Sequence, residues 1–157
     1  MHASLVPRHY WYQWDNVNCG QLWSTSSGLN AAGIAYTTMY QWLAGSSLTP
    51  CSTVYGTTWS CPVTEASGNS ALAVWNIVGS ASYSFSSGTY ADFRDVCGNT
   101  TTVGTGSSSC NGVTTTLTST SVSLNTQPIL LEGIGSAPTP APGPPAPPTA
   151  LTSTVHP

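Results

Sequence analysis

Thr57-Thr58-Trp59-Ser60-Cys61-Pro62-Val63-Thr64, a break at Ser67-Gly68-Asn69, then Ala71-Leu72-Ala73-Val74-Trp75-Asn76-Ile77: the reading of this stretch decides the fold class. Apolar and polar side chains alternate in part on either side of a Ser-Gly-Asn turn, which is a β-hairpin signal. Working outward, further short strands are predicted at 83–85, 90–96, 113–117, 121–124 and 128–132. Turn residues separate them at intervals of about 8–12, the cadence of an antiparallel sandwich. The expected fold is therefore mainly β, an antiparallel β-sandwich over 49–135.

The flanking zones differ. Tyr10-Trp11-Tyr12-Gln13-Trp14 has strand propensity on both faces and demands neighbours on both. From 27 to 43 the spacing turns helical, with Leu29, Ala32, Gly33, Tyr36, Met39, Tyr40 and Leu43 recurring at three and four. Ser26 or Ser27 is the predicted cap and Gly45 the stop. One strand, a loop and one helix make half of a β/α unit, placed at 1–48. Residues 136–149 hold seven Pro and nothing to fill a core, so they read as a polyproline II linker. Residues 150–157 alternate like the opening strand of a further domain.

Charge excludes whole classes of function. The charged fraction is 4%, against about 25% for an ordinary soluble domain. Arg8 and Arg94 are the only Lys or Arg, and the net charge is −3. Such a chain has no means of holding a phosphate backbone, so no nucleic-acid partner is expected. No anionic membrane surface is expected either, and no apolar run nears the roughly 18–20 residues of a membrane span. A chain with five Cys, no Lys and 46 Ser plus Thr suits a secreted β-rich polypeptide. Residues 1–14 do not read as an export signal, and the two observations are reconciled if the natural start lies upstream of Met1.

Cys51 and Cys61 flank a short segment centred on Gly56, and Cys97 and Cys110 bracket a Gly/Thr/Ser-rich loop. Both pairs are predicted to be disulfides, each stabilising by about 2–3 kcal/mol through loop closure. Cys19 is left over. No Cys-x-x-Cys occurs and His2, His9 and His156 sit at the extremities, so no metal is expected. No Gly-x-Gly-x-x-Gly and no phosphate-loop Lys occurs, so no cofactor is expected.

Cleaving a glycosidic bond requires two opposed carboxyl groups. Asp92 and Asp95, three apart, point to opposite faces of a strand, and read as sheet-edge residues in local contact with Arg94. Glu65 sits at a turn and Glu132 ends an apolar strand, neither with an evident acidic partner. No catalytic pair is expected here. The concentrated binding signal is Tyr10–Asn16: aromatic rings stack on the C–H faces of sugars while Asp15 and Asn16 hydrogen-bond to hydroxyls, and the alternative is a core strand whose Asp15 and Asn16 only satisfy loop backbone amides. Trp59 and Trp75 read as sandwich core rather than a sugar platform. Asn99-Thr100-Thr101 is a glycosylation sequon.

Tyr10-Trp-Tyr-Gln-Trp-Asp-Asn16, Leu22-Trp23, Ala32-Gly-Ile-Ala-Tyr36 and Tyr40-Gln-Trp-Leu-Ala-Gly45 together resemble the end of a (β/α)8-barrel glycoside hydrolase of the retaining clan that includes families 5, 30 and 39. Cys51…Trp59-x-Cys61, Ala71–Asn76, Tyr90–Asp95 and Gln127–Glu132 are similar to the small β-sandwich that packs on such barrels. The resemblance covers about 8–133. A much weaker likeness to a fibronectin-type or immunoglobulin-like opening covers 147–155. The clan's acid/base and nucleophile Glu would both lie upstream, in a barrel this chain lacks, and no position here matches either. The resemblance implies a C-terminal part of a secreted glycosidase, inactive alone, whose parent binds carbohydrate. It places Trp11, Trp14, Asp15 and Asn16 near the substrate face of the barrel, with Trp14 the best stacking candidate. The rival expectation is a non-catalytic β-sandwich that binds carbohydrate or spaces domains.

Overall fold

The computed structural model describes residues 21–133, apart from Thr25 and Thr105. The strand expected at 10–14, Cys19, the Pro-rich segment and the tail lie outside the described residues.

The described chain opens with a minimal hairpin, β1 (Trp23–Ser24) and β2 (Gly28–Leu29), followed by the helix α1 (Ala31–Leu43). The helix begins four residues later than the periodicity predicts. Residues 28–29 are held out of the helix by pairing with β1, and the cap is Asn30 rather than Ser26 or Ser27. The Asn30 Oδ1 accepts from the Gly33 N–H at 2.9 Å, satisfying one of the orphan donors of the first turn. The helix closes at Ala44, and Gly45 then takes the positive φ of 74° that turns the chain away.

Two antiparallel sheets follow. The larger has seven strands: β3 (Ser47–Leu48), β4 (Ser52–Tyr55), β5 (Thr58–Thr64), β6 (Ser70–Asn76), β8 (Tyr90–Asp95), β9 (Thr100–Thr102) and β13 (Ile129–Gly133). Its order is β3-β5-β6-β13-β8-β9, with β4 also on β5. The smaller sheet is β10 (Gly106–Cys110), β11 (Val113–Leu117), β12 (Ser121–Leu124) and β7 (Ala81–Ser84), in the order β10-β11-β12-β7. The predicted hairpin is β5–β6, in unbroken register from Thr58↔Asn76 to Thr64↔Ser70. β9 and β10 occupy what reads in sequence as a loop. Their Gly/Thr/Ser sequences carry almost no apolar alternation, and their pairing with β8 and β11 makes them strands.

The large sheet is covered on both faces. Val74, Phe93, Ile129 and Leu131 point to one side and interleave with Leu117, Val122 and Leu124 of the small sheet. Cys61, Val63, Ala71, Ala73 and Leu130 point to the other, where Trp42 of α1 packs on them. That double burial explains β13: Ile129-Leu130-Leu131 is continuously apolar because alternate residues face two different cores.

Both predicted disulfides are present. Cys51 and Cys61 have Cα atoms 4.2 Å apart and tie β4 to β5. Cys97 and Cys110, 5.7 Å apart, join the end of β8 to β10, and so one sheet to the other.

At Gly33, α1 runs close against the chain before it. A Cβ there would lie 2.1 Å from the Leu22 carbonyl oxygen and 2.8 Å from the Leu29 side chain. Gly33→Ala is expected to destabilise by about 1–3 kcal/mol, the usual cost of overpacking. Urea denaturation checks it; an unchanged midpoint would show that the β1–β2 hairpin yields freely.

Candidate functional site

The helix-side face of the large sheet carries an ionic cluster. Asp92 and Arg94 are two apart on β8 and share a face. In register, Glu132 lies directly opposite Asp92, and Arg94 opposite Leu130. Arg94 therefore reaches diagonally. Its Nε donates to Glu132 Oε2 at 2.9 Å and its Nη2 to Oε1 at 2.6 Å. This is the fork geometry that makes Arg–carboxylate pairs strong. The side chains are 16% and 2% exposed, so the pair is shielded from solvent.

Three expectations are corrected here. Asp92 and Arg94 are not at a sheet edge, since β8 lies between β13 and β9. The guanidinium pairs with Glu132, 38 residues away, rather than with a neighbouring Asp. Glu132 also has an acid facing it, Asp92, which strand spacing alone does not reveal. The Asp92 Oδ1 is buried and has no hydrogen-bond donor. Burial above all, then the Asp92 carboxyl facing it, pushes the Glu132 carboxyl up to about 8, with Arg94 pulling the other way and Glu65 adding to the rise.

Asp95, on the opposite face, has a different role. Its Oδ1 accepts from the backbone N–H of Cys97 and Asn99, and its Oδ2 from Asn99 Nδ2 and Ser108 Oγ. The three bonds from Cys97 and Asn99 build the tight turn after β8, where Gly98 takes a positive φ of 85°, and the fourth, from Ser108, reaches across to β10. The sequon amide of Asn99 is thus spent on this turn. Asp95, Cys97 and Cys110 bring potential ligand atoms within 4.8 Å of one another. Both sulfurs are locked in the disulfide and no thiolate is available to a metal.

A cleft of about 450 Å³ opens between the start of α1 and the sandwich. Ala31, Ala35 and Met39 with Val96 and Pro128 form its apolar floor and sides; Tyr36, Asn111, Thr126 and Gln127 supply polar groups. No charged residue lines it. Asn111, at a positive φ of 49°, is the turn residue of the β10–β11 hairpin. Gln127 is steadied by donating from Nε2 to the Cys110 carbonyl at 3.4 Å. Trp59 and Trp75 are cross-strand partners on the same face as Leu130 and are half-buried, with Trp75 packed on the core beneath α1.

Trp11, Trp14, Asp15 and Asn16, the residues read as sugar-contacting, lie outside the described residues. Compared with protein-family models, curated proteins and solved structures, the chain matches none.

The ionic cluster was missed in sequence but left a signal. Apart from Asp92 and Asp95, Arg94 and Glu132 are the only charges on two strands otherwise rich in apolar residues, and a buried cation needs an acid it can reach. Replacing Arg94 by Leu leaves Glu132 buried beside Asp92 with no counter-charge. A loss of about 3–5 kcal/mol is expected, in the range for breaking a buried pair from one side. Chemical denaturation of Arg94→Leu at neutral pH checks it, with Arg94→Lys, which keeps the charge but not the fork, expected to lose less.

Proposed function

We propose that this chain is the C-terminal accessory part of a secreted retaining glycoside hydrolase, holding the final β/α unit and the sandwich that braces it, and that it does not itself hydrolyse glycosides. The observation that carries the reading is the seating of α1. One flank of the helix packs through Trp42 on the large sheet. Ile34, Tyr36 and Tyr40 remain exposed elsewhere on its surface. A helix that is apolar beyond the face it buries is one that seats against a second body.

The carboxylates support the non-catalytic half. Hydrolysis with retention needs two carboxyl groups about 5–5.5 Å apart with a sugar between them. Glu132 and Asp92 do face one another, but as strand neighbours within a covered sheet, with no groove between them. Asp95 accepts four bonds, three from its turn and one from Ser108 on β10. Secretion is part of the same proposal: two disulfides suit an oxidising compartment, and among the described residues no helix is long and apolar enough to cross a membrane.

A second reading, a non-catalytic module that binds carbohydrate, is favoured by the uncharged cleft. An aromatic ring, two amides and a hydroxyl around an apolar floor suit a neutral, hydroxyl-rich ligand.

A panel of aryl β-glycosides incubated with the 157-residue chain is expected to show no release above buffer. Turnover that Glu132→Gln abolishes would overturn the proposal. The coding sequence upstream of Met1 tests the other half: an open frame encoding further β/α units with two Glu on strand ends is expected, and its absence would favour the second reading.

A further inference from the structure

We infer that Asp92 and Glu132 share one proton in the folded chain, with Arg94 balancing the single charge that remains, so that the joint between β8 and β13 is a pH-sensitive latch on the central strand of the large sheet.

The argument starts from donors and acceptors. Both Glu132 oxygens accept from Arg94. The Asp92 Oδ1 is buried with no donor, and an orphaned buried acceptor of this kind is costly. The group directly across the ladder is the Glu132 carboxyl. A proton held between the two acids turns a repulsive pair into a hydrogen bond and gives Oδ1 the donor it lacks. The proton comes from water, and no other bond forms or breaks.

Charge counting points the same way. Asp92 and Arg94 face the latch from β8, Glu132 forms it from β13, and Glu65 adds a negative charge from the turn after β5. The flanking register positions Ala71 on β6, Val63 on β5 and Thr102 on β9 carry no charge. No residue of α1 is Asp, Glu, Lys, Arg or His. Arg94 is the only Lys or Arg among the described residues. It can neutralise one carboxylate; two ionised acids would face each other directly across an antiparallel pair, an arrangement that destabilises sheets.

The sign follows. The folded chain keeps a proton on Glu132 up to about pH 8, whereas the unfolded chain releases it near the ordinary Glu value of 4.5. Between those limits the folded state binds more protons. The contribution is full in acid and is lost as pH rises through 8.

The test uses the 157-residue chain. Infrared spectroscopy at pH 7 is expected to show a protonated-carboxyl band that disappears in Asp92→Asn, because Glu132 then ionises against Arg94. Thermal unfolding of the wild type is expected to shift down by roughly 5 °C or more between about pH 6 and pH 9, and Asp92→Asn is expected to flatten that slope. A purely structural role would lower the midpoint equally at every pH. No carboxyl band in the wild type, or an unaltered slope in Asp92→Asn, would overturn the latch. Glu132→Gln serves as a further check on the band if it folds; the Asp92→Asn arm stands without it. Neither readout depends on glycoside chemistry, so failure here leaves the proposed function standing, and the reverse also holds.

Discussion

The guanidinium fork across β8 and β13 fixes the register on which both cores depend. β13 is buried on both faces, and Ile129, Leu130 and Leu131 are close enough in shape that an apolar strand could slip along its neighbours at modest cost. A slip of one residue would swing Glu132 from the helix side into the layer shared with Phe93 and Val122. The fork forbids that, because Arg94 can reach both Glu132 oxygens only from two positions away on the facing strand. An apolar replacement of the whole cluster could hold the sheet as well or better. What it would lose is the single alignment that sets Leu130 under Trp42 and Leu131 over the small sheet.

A protein with this few charges must stay wet by other means. On the outer face of the small sheet, Ser82 and Ser84 of β7, Ser107 and Ser109 of β10, Thr114 and Thr116 of β11, and Ser121 and Ser123 of β12 alternate with the inward Tyr83, Ser108, Thr115, Leu117, Val122 and Leu124. Hydroxyls hydrate this face, and some bond within it, as where the Thr116 N–H donates to Ser123 Oγ. The Cys97–Cys110 bridge holds this hydroxyl-rich sheet to the apolar one. Threonine supplies strand propensity without the desolvation that charged side chains would suffer beside a thin core.

How much of this was legible follows from where each signal lives. The β5–β6 hairpin, β11 and β12 were readable because alternation is local and each strand buries one face strongly. Both disulfides were readable because each closes a short loop. The start of α1 was not, since it depends on β1 and β2 pairing over five residues and on Asn30 outcompeting two serines as cap. β9 and β10 were illegible because their side chains are small and polar, and only their neighbours make them strands. The Asp92–Glu132 pair was illegible for a related reason: forty residues separate the partners, and only register brings them together. The sugar-contacting candidates at 11–16 fall outside the described residues.

The chemistry available to this surface is set by where its acids are spent. A carboxylate can act as a general acid or nucleophile only if its oxygens are free to meet substrate. Glu132 gives both oxygens to Arg94, Asp92 faces Glu132 inside the sheet, and Asp95 accepts three bonds from its turn and one from Ser108 on β10. Glu65 lies at the β5–β6 turn, where its backbone N–H donates to the Asn69 carbonyl; its charge raises Glu132. The cleft beside α1 has the reverse character, with amides, a hydroxyl and a tyrosine but no titrating carboxyl or imidazole. Among the described residues, the strand acids Asp92, Asp95 and Glu132 are thus committed to the fold, while the cleft beside α1 is lined by uncharged groups.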